Sequence, residues 1–322
     1  MDEKFLITGA SGCIGSWVLY HLQREGAAFV ASDLRKDLAR PRLLMEDDAL
    51  DAIAWIELDV TDGAAVRAAV EDHGITHIVH LAGLQVPFVK ANPPLGAAVN
   101  VTGTTNIFEA ARHCGVSGLS YASSMAVFGP ATAYPPGRIA DDAPRLPDTL
   151  YGVTKMANED MARIYWQEWE VGSVGLRPGV VYGVGRDQGI SSDTARALLA
   201  VAAGAPFHIR FDGPVALQHA SDVARMFIGC ARAGHRGAAA CNLRNDVVEV
   251  ADFVDMVLRQ EPGAQITYER GTPLPVAADY DDAALRGVLG EVPHIPLERA
   301  IETDIAQFRA LLARGLLQPE SS

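Results

Sequence analysis

The chain has 322 residues, 49% of them hydrophobic, which is enough to bury the core of one large α/β domain or two modest ones. Its 40 acidic residues outnumber its 27 basic residues, and the formal net charge is -13. Because phosphate contacts need lysine and arginine, we expect no nucleic acid and no anionic membrane as a partner.

The sequence also argues against secretion and membrane insertion. The apolar run near the N-terminus is too short for the core of a signal peptide, and no apolar stretch approaches the ~18 residues that a membrane span needs. The cysteines are scattered, with no CxxC pair: Cys13, Cys114, Cys230 and Cys241. We therefore expect a cytoplasmic protein without disulfides. His77 and His80 fall on opposite faces of a predicted strand, so we expect no metal site there.

Short apolar runs alternate with helical stretches over the first 180 residues. The predicted strands are 5–7, 29–31, 53–58, 75–81, 116–122 and 174–176. The predicted helices are 14–24, 62–71, 100–113 and 151–168. Such alternation indicates right-handed βαβ units, and it predicts an α/β fold with a parallel sheet and helices on both faces.

The alternation of predicted strands and helices is interrupted at two places along the chain. Residues 129–150 carry five prolines and little periodicity, which is typical of a long loop and often of a functional lid. After Gly183, helical pieces at 193–203, 222–233, 250–260 and 297–312 are separated by Gly/Pro-rich connections. We therefore expect two units, a sheet domain over 1–183 and a smaller mixed α/β lobe, mainly for substrate, over 184–322. The lobe could be interleaved with the first domain.

A glycine-rich segment joins the first predicted strand to the first helix. Residues 8–15 read Thr-Gly-Ala-Ser-Gly-Cys-Ile-Gly. Gly9 permits a tight turn, Gly12 lets the backbone approach a pyrophosphate, and Gly15 lets helix and strand pack closely. The phosphates would lie at the positive end of the helix, as in a Rossmann-type sheet. We predict that six residues here contact a dinucleotide: Gly9, Ser11, Gly12, Cys13, Ile14 and Gly15.

Further strand ends extend this predicted groove. Asp33 lies 18 residues after Gly15, where its carboxylate would accept hydrogen bonds from the adenosine ribose and repel a 2′-phosphate. This favours NAD over NADP, although Arg35 could serve a 2′-phosphate. The carboxyl ends of the third and fourth strands supply five further candidates: Asp59, Val60, Leu81, Ala82 and Gly83.

A tyrosine and a lysine open the helix that follows the proline-rich loop. Their i, i+4 spacing places Tyr151 and Lys155 on one helix face. A lysine cation and a positive nicotinamide ring would lower the pKa of the phenol, which is about 10 in free tyrosine, so Tyr151 could take a proton from an alcohol. Ser124, at the end of a predicted strand, could hydrogen-bond the same oxygen.

Together these motifs resemble the extended short-chain dehydrogenase/reductase family, the NAD-dependent epimerases, dehydratases and dehydrogenases. The segments that carry the resemblance are 8–15, 80–83, 100–104, 123–129, 151–155 and 177–183. The resemblance implies that Tyr151 is the acid/base and that Lys155 holds the nicotinamide ribose, while Ser124 binds the reacting oxygen. It adds Asn100, Pro178 and Val180 to the expected NAD contacts.

It also implies a homodimer in which helices 100–113 and 151–168 form a four-helix bundle. The apolar residues of the second helix that could serve it are Met156, Met161, Ile164, Tyr165 and Trp169.

One departure from the family bears on the substrate. Members that use nucleotide sugars usually carry an arginine that clamps the diphosphate, where this chain has Val215. We therefore favour a dehydrogenase of a sugar, sugar acid or polyol over a nucleotide-sugar epimerase or dehydratase. A non-catalytic dinucleotide sensor remains a third alternative. Candidate substrate contacts, besides Ser124, are Gln85, Arg186, Gln188 and His219.

Overall fold

The computed structural model describes residues 3–318 and is built around a seven-stranded sheet. The strands in the described part of the chain are β1 (Lys4–Thr8), β2 (Ala28–Asp33), β3 (Ala54–Glu57), β4 (His77–His80), β5 (Gly118–Ala122), β6 (Ser173–Arg177), β7 (Val180–Tyr182), β8 (Phe207–Ile209), β9 (Pro214–His219), β10 (Ala238–Asn242), β11 (Asp246–Glu249) and β12 (Ile266–Tyr268).

Helices join these strands and cover the sheet. Over the same residues they are α1 (Cys13–Glu25), α2 (Asp47–Asp51), α3 (Gly63–Asp72), α4 (Val86–Ala91), α5 (Pro93–Ala97), α6 (Gly103–Cys114), α7 (Leu150–Trp169), α8 (Asp193–Ala203), α9 (Ala220–Arg232), α10 (Val250–Gln260), α11 (Ala283–Leu289) and α12 (Leu297–Ala313). A π-helical stretch, Ala98–Thr102, connects α5 to α6.

The main sheet has the order β10-β6-β5-β4-β1-β2-β3, and all of its neighbouring strands are parallel. This order reverses beside β1, as in doubly wound sheets whose ligands bind at the carboxyl ends of the strands. The predicted Rossmann-type α/β fold is confirmed. A core on one side of the sheet contains Phe5, Ile7 and Leu19, and a second core on the other side contains Leu6, Ile78 and Phe108.

The seventh strand, β10, is missing from the sequence prediction. Its residues, Ala-Ala-Ala-Cys-Asn, include no β-branched or aromatic side chain, so only pairing with β6 makes them a strand. Helix α9 also packs on the main sheet, where the Ser120 hydroxyl donates to the Phe227 carbonyl at 2.9 Å. Residues on both sides of position 183 therefore build the main sheet.

The smaller mixed lobe contains two short sheets. Strand β9 lies between β11 and β7 in one, and β12 pairs with β8 in the other. Helices α8 and α12 pack against each other beside them. Between residues 3 and 318, no helix is both long and apolar enough to cross a membrane.

Helix α7 has well-defined ends, which fix the position of its first turn. The Thr149 hydroxyl accepts a hydrogen bond from the Gly152 amide at 3.0 Å and caps the N-terminus. Glu170 ends the helix in the left-handed conformation, with a φ of 54°. Tyr151 and Lys155 consequently lie in the first turns of a helix whose start is held by the side chain of Thr149.

Candidate active site

The glycine-rich segment forms a close-packed cradle at the carboxyl end of β1. Gly9 has a φ of 69°, and a Cβ there would lie 2.7 Å from the Ala82 nitrogen. A Cβ on Gly15 would collide with the Gly9 carbonyl oxygen. The Gly12 amide donates to the Gly9 carbonyl at 3.0 Å, which closes the turn. Side chains at Gly9 and Gly15 would strike neighbouring backbone, so the tight turn and the close packing expected of these glycines are present.

Asp33 lies at the edge of the cradle, as the spacing predicts. Its carboxylate accepts hydrogen bonds from the Ser11 amide at 3.0 Å and the Leu34 amide at 2.8 Å. Each carboxylate oxygen keeps a further lone pair for a ribose hydroxyl. Arg35 is exposed beyond it. The carboxylate therefore both fixes the glycine-rich segment and remains available to a ligand.

A cation that the sequence analysis did not identify lies at this cradle. Arg40 forms a bidentate pair with Asp187, at 3.1 and 2.8 Å, and its Nη1 lies 3.4 Å from the Ser11 carbonyl oxygen. Burial raises the pKa of Cys13 to about 11, while the charges of Arg186 and Arg40 act in the opposite direction. Arg40 and Arg186 thus both lie near the glycine-rich segment. Arg40 is held there by Asp187, which is 147 residues away in the chain.

The candidates at the neighbouring strand ends fall into two groups. The Thr8 hydroxyl accepts from the amides of Leu81 and Ala82, at 3.2 and 3.3 Å, which holds them beside Gly9. A Cβ on Gly83 would lie 3.4 Å from the Lys155 ammonium. Asp59, in contrast, is exposed and accepts from the Thr61 amide and hydroxyl at 2.9 and 2.8 Å, and Val60 is buried in the core.

Asn100 lies in the π-helical stretch and links that stretch to the site. Its Oδ1 accepts from the Leu84 amide at 2.7 Å, and its Nδ2 donates to the Leu84 carbonyl at 2.9 Å and to the Thr154 hydroxyl at 3.2 Å. π-Helical turns occur often at functional sites because they turn a side chain away from the α-helical register. Here the turn places the Asn100 amide between Leu84, in the loop after β4, and Thr154, in α7.

A buried polar chain lies beneath this loop. His80 bonds the Thr8 hydroxyl through Nδ1 at 2.7 Å and the Thr104 hydroxyl through Nε2 at 3.0 Å, and Asn158 donates to Thr104 at 3.2 Å. Burial, with a smaller contribution from the Lys155 charge, lowers the pKa of His80 to about 3. His80 is therefore neutral near pH 7 and joins β1, β4, α6 and α7 through hydrogen bonds alone.

Ser124, Tyr151 and Lys155 meet at the carboxyl end of β5. The Lys155 ammonium donates to the Ala122 carbonyl at 2.7 Å and lies 5.7 Å from the centre of the Tyr151 ring. Burial lowers the pKa of Lys155 to about 8. An ammonium has three donors, and within the described residues only one is used, so two remain for a ribose.

The electrostatics of Tyr151 differ in one respect from the sequence expectation. Burial raises the pKa of the phenol, while hydrogen bonding to Ser124 and the charge of Arg186 lower it. The charge of Arg186 therefore acts on the tyrosine in addition to the Lys155 ammonium beside its ring. Among the candidate substrate contacts, Ser124 and Arg186 both lower the pKa of Tyr151.

The remaining candidate substrate contacts are placed differently. Arg186 donates to the Ser191 hydroxyl at 3.1 Å, and its buried Nε has no partner among the described residues. Gln85 and Gln188 are exposed. His219 is buried, with Nε2 3.0 Å from Asp304 and Nδ1 accepting from the Ser221 amide at 3.3 Å. Both ring nitrogens of His219 are thus taken by the protein, so we remove it from the candidate substrate contacts.

The serine before Ser124 connects the site to a buried ion pair. The Ser123 hydroxyl donates to Glu159 at 2.6 Å, and Arg177 donates to both oxygens of Glu159 at 2.7 and 2.8 Å. Gln218, which the sequence analysis missed, accepts from the Gly179 amide at 2.7 Å. No local motif marks Gln218, because its partner is 39 residues away in the chain. These contacts hold both the Ser123–Ser124 turn and the Pro178–Gly179 turn.

Comparison with known proteins identifies similar sequences among epimerases and dehydrogenases. The chain is 31% identical to UDP-glucuronate 4-epimerase 3 of Arabidopsis thaliana, over 55% of this chain and 42% of that protein. It is 31% identical to UDP-glucose 4-epimerase of Mycolicibacterium smegmatis, over 61% of this chain and 63% of that protein. The aligned part therefore spans less than two thirds of these relatives.

Solved structures match over nearly the whole chain. MoeE5 in complex with UDP-glucose and NAD is 27% identical, with a TM-score of 0.78, and the match covers 96% of this chain and 99% of that chain. A partial-consensus L-threonine 3-dehydrogenase has a TM-score of 0.82 at 24% identity, covering 95% and 99%, and supports the fold alone. The model of the NAD dependent epimerase/dehydratase family matches residues 5–243, and the chain belongs to this family.

Proposed function

We propose that this chain is an NAD-dependent dehydrogenase of a small carbohydrate-like alcohol, such as a sugar, a sugar acid or a polyol. The observation that carries the proposal is the meeting of Ser124, Tyr151 and Lys155 beside the glycine cradle. NAD is the cofactor of the family, and when bound it accepts a hydride from the alcohol carbon. The residues of this chain then have to orient the alcohol and remove its proton.

We propose that the cradle holds NAD as follows. The backbone from Gly9 to Gly15 receives the pyrophosphate at the start of α1, and Asp33 receives the adenosine ribose. The two unused N–H groups of the Lys155 ammonium donate hydrogen bonds to the hydroxyls of the nicotinamide ribose. The other proposed contacts are Ser11, Cys13, Ile14, Leu81, Ala82, Gly83, Asn100, Pro178 and Val180. Asp59 and Val60 remain weaker candidates, because Asp59 caps a turn and Val60 is buried.

The proton leaves the alcohol through Tyr151. The Ser124 hydroxyl holds the alcohol oxygen and also stabilises the phenolate by hydrogen bonding. Arg186 stabilises the phenolate by its charge, and the Lys155 ammonium, 5.7 Å from the centre of the ring, is a second cation that does so. These interactions oppose the effect of burial, which would otherwise keep Tyr151 protonated.

The surroundings of the site favour a substrate without a diphosphate. Val215 stands at the position of the family's diphosphate-binding arginine and is buried in β9. Arg186 offers one cation with an unpartnered Nε, which suits one carboxylate. A sugar acid would place its hydroxyls near Ser124 and, at lower priority, the exposed amides of Gln85 and Gln188.

An epimerase or dehydratase acting on a nucleotide sugar is the second candidate. It is favoured by the names of the relatives, UDP-glucuronate 4-epimerase and UDP-glucose 4-epimerase, and by MoeE5, which was solved with UDP-glucose. It uses the same Ser124, Tyr151 and Lys155, so these residues do not separate the two functions. A dinucleotide sensor would have no use for this catalytic set, which argues against the third alternative.

We also propose a cytoplasmic homodimer. Exposed apolar side chains lie on the mutually packed helices α4, α5 and α7, among them Phe88, Leu95, Leu150 and Val153. Within the proposed bundle helix, Tyr165 is buried, and Met161 packs against the core of the same chain, whereas Trp169 is exposed. The four free thiols support a reducing compartment.

Light scattering tests the dimer. We expect a mass of twice the 34.3 kDa of one chain, since burial of the exposed apolar side chains favours association. The paired variant Phe88→Asp, Leu95→Asp should lower this mass, and Leu34→Asp, which changes another exposed apolar residue, should not. A wild-type mass of one chain would contradict the dimer.

Calorimetric titration tests the role of Asp33. We expect NAD to bind at least about tenfold more tightly than NADP, because the carboxylate would repel a 2′-phosphate. Asp33→Ser should narrow this ratio, and the exposed Asp72→Ser should leave it unchanged. Equal or tighter binding of NADP by the wild type would mean that Arg35 or Arg40 outweighs Asp33.

Substitutions of Tyr151 and Lys155 test the chemistry. Tyr151→Phe should lower the rate of NADH formation by about 10²- to 10⁴-fold and leave NAD affinity nearly intact, since one hydroxyl is lost.

The wild-type rate of alcohol oxidation should rise with pH, because burial keeps the pKa of Tyr151 high. Lys155→Met should weaken NAD binding and move this rise to higher pH. Tyr268→Phe and Lys90→Met are the controls. A Tyr151→Phe enzyme with a tenth of the wild-type rate would require another base.

A ligand panel separates the two candidate functions. In the presence of NAD, UDP- and dTDP-sugars should bind weakly or not at all, because a diphosphate without a paired cation costs several kcal/mol in a pocket. Aldonates should bind more tightly than the corresponding neutral sugars, and Arg186→Gln should remove that difference. Calorimetry gives the dissociation constants. A micromolar dissociation constant for a nucleotide sugar would contradict the preference for a dehydrogenase and favour the epimerase function.

A further inference from the structure

The chain passes from the main sheet to the smaller lobe through a two-residue turn. Pro178 and Gly179 join the end of β6 to the start of β7, at the carboxyl edge of the main sheet, where ligands of such folds bind. Both residues are half-buried, so protein covers the turn only in part. The turn also carries two of the proposed NAD contacts, Pro178 and Val180. A shift of this backbone would therefore move residues that are proposed to meet the cofactor.

A fully buried glutamine, Gln218, holds this turn from the side of the lobe. Its side chain lies in β9, where the residue pairs in register with Val181 of β7. Its Oε1 accepts a hydrogen bond from the Gly179 amide at 2.7 Å, and its Nε2 donates to the Leu243 carbonyl at 2.9 Å. The side-chain amide has one oxygen and one nitrogen, so only this orientation satisfies both backbone partners. Gln218 therefore connects the turn to Leu243, the residue that follows β10.

The segment of the proposed catalytic serine holds the same turn from another side. The Met125 amide, directly after Ser124, donates to the Pro178 carbonyl at 3.2 Å. A Cβ on Gly179 would lie 3.4 Å from the Gln218 Nε2 and 3.5 Å from the Met125 Cγ, so both side chains pack closely on the turn. The turn is thus fixed between the serine segment and the smaller lobe, and Gln218 makes the contact from the lobe.

The place of Gln218 in its strand does not itself call for an amide. Val215 and Leu217, in the same strand, are buried and apolar. Burying an amide is unfavourable unless it is hydrogen-bonded, and here both of its ends bond backbone groups that lie outside the strands, at Gly179 and Leu243. The amide therefore fixes the backbone at a point where an apolar side chain of the same size would only fill space.

We propose that Gln218 is a positioning residue for the nicotinamide half of NAD, because it fixes the backbone of Pro178 and Gly179 beside the nicotinamide without touching the cofactor itself. The inference rests on the proposed function, since it takes Pro178 and Val180 as NAD contacts. Loss of the amide frees the turn to shift, which weakens its interactions with the nicotinamide. The glycine cradle and Asp33, which are proposed to hold the pyrophosphate and the adenosine ribose, keep their own contacts.

Two ligands that differ by the nicotinamide test the proposal. NAD and ADP-ribose share the adenosine, the pyrophosphate and the second ribose, and only NAD carries the nicotinamide. Calorimetry gives their dissociation constants for the wild type and for Gln218→Met, which keeps the length of the side chain and removes both hydrogen bonds. We expect the variant to bind NAD about tenfold more weakly and ADP-ribose within about twofold of the wild type. Equal losses for both ligands, or no loss for NAD, overturn the proposal.

The variant Gln218→Glu tests whether the two hydrogen bonds are the cause. A protonated carboxyl can accept from Gly179 and donate to Leu243, as the amide does, whereas a carboxylate can only accept. Burial should raise the pKa of this carboxyl above the value of about 4.3 in free glutamic acid. The preference of Gln218→Glu for NAD over ADP-ribose should therefore equal the wild-type preference at about pH 5 and fall as the carboxyl ionises at higher pH. A preference at about pH 5 that is no better than that of Gln218→Met contradicts the proposal.

Ser120→Ala controls for a loss of stability alone. It also removes a fully buried hydrogen bond, from the Ser120 hydroxyl to the Phe227 carbonyl at 2.9 Å, and should lower the melting temperature without changing the preference for NAD. A preference that falls equally in Ser120→Ala would mean that Gln218 has no specific role.

The positioning role and the dehydrogenase function fail in different ways, because binding of NAD and ADP-ribose needs no alcohol. If Gln218→Met loses the preference for NAD but the wild type forms NADH from no alcohol, the dehydrogenase function is wrong and the positioning role stands. If the wild type forms NADH and Gln218→Met keeps the wild-type preference, the dehydrogenase function stands and the positioning role is wrong.

Discussion

The ion pair between Arg177 and Glu159 holds together the parts of the protein that meet at the site. Both side chains are 3% exposed, and removing one partner of such a buried pair costs about 3–5 kcal/mol. Glu159 lies one turn after Lys155 on α7, and Arg177 ends β6. Through Ser123 the pair also reaches the turn that carries Ser124. The relative position of the serine and the catalytic helix therefore depends on charges that take no part in the proposed chemistry.

The same pair organises the proline-rich loop. Arg145 donates to Glu159 at 3.3 Å and to Asp160 at 2.7 Å, and Arg177 donates to the Asp141 carbonyl at 2.8 Å. Asp141 in turn accepts from the amides of Asn242 and Ala284, at 2.6 and 3.0 Å. The loop thus fastens the main sheet to the smaller lobe. A lid, as suggested by the length and composition of the loop, would have to break these contacts to open.

Local sequence patterns predicted the elements and motifs whose cause is itself local. The glycine turn, the spacing of Tyr151 and Lys155, and helices such as α8 and α10 depend on residues within a few positions of each other. Strand β10, the Arg40–Asp187 pair and the hydrogen bonds of Gln218 depend on partners many residues away, so no local pattern announces them. His219 shows the same limit in the other direction. Its place at a strand end suggests a substrate contact, but its ring nitrogen Nε2 bonds Asp304, which lies 85 residues later in the chain.

The Arg40–Asp187 pair makes the glycine cradle sensitive to salt. It joins the segment after β2 to the loop after β7, and Arg40 contacts the glycine cradle at the Ser11 carbonyl, so the pair lies beside the groove proposed for the dinucleotide. The pair is partly exposed, with Asp187 at 53%, and salt in solution weakens it. Salt would therefore loosen the tie between these two loops, and the position of the backbone at Ser11 would depend on ionic strength even though Arg40 and Asp187 take no part in the proposed chemistry.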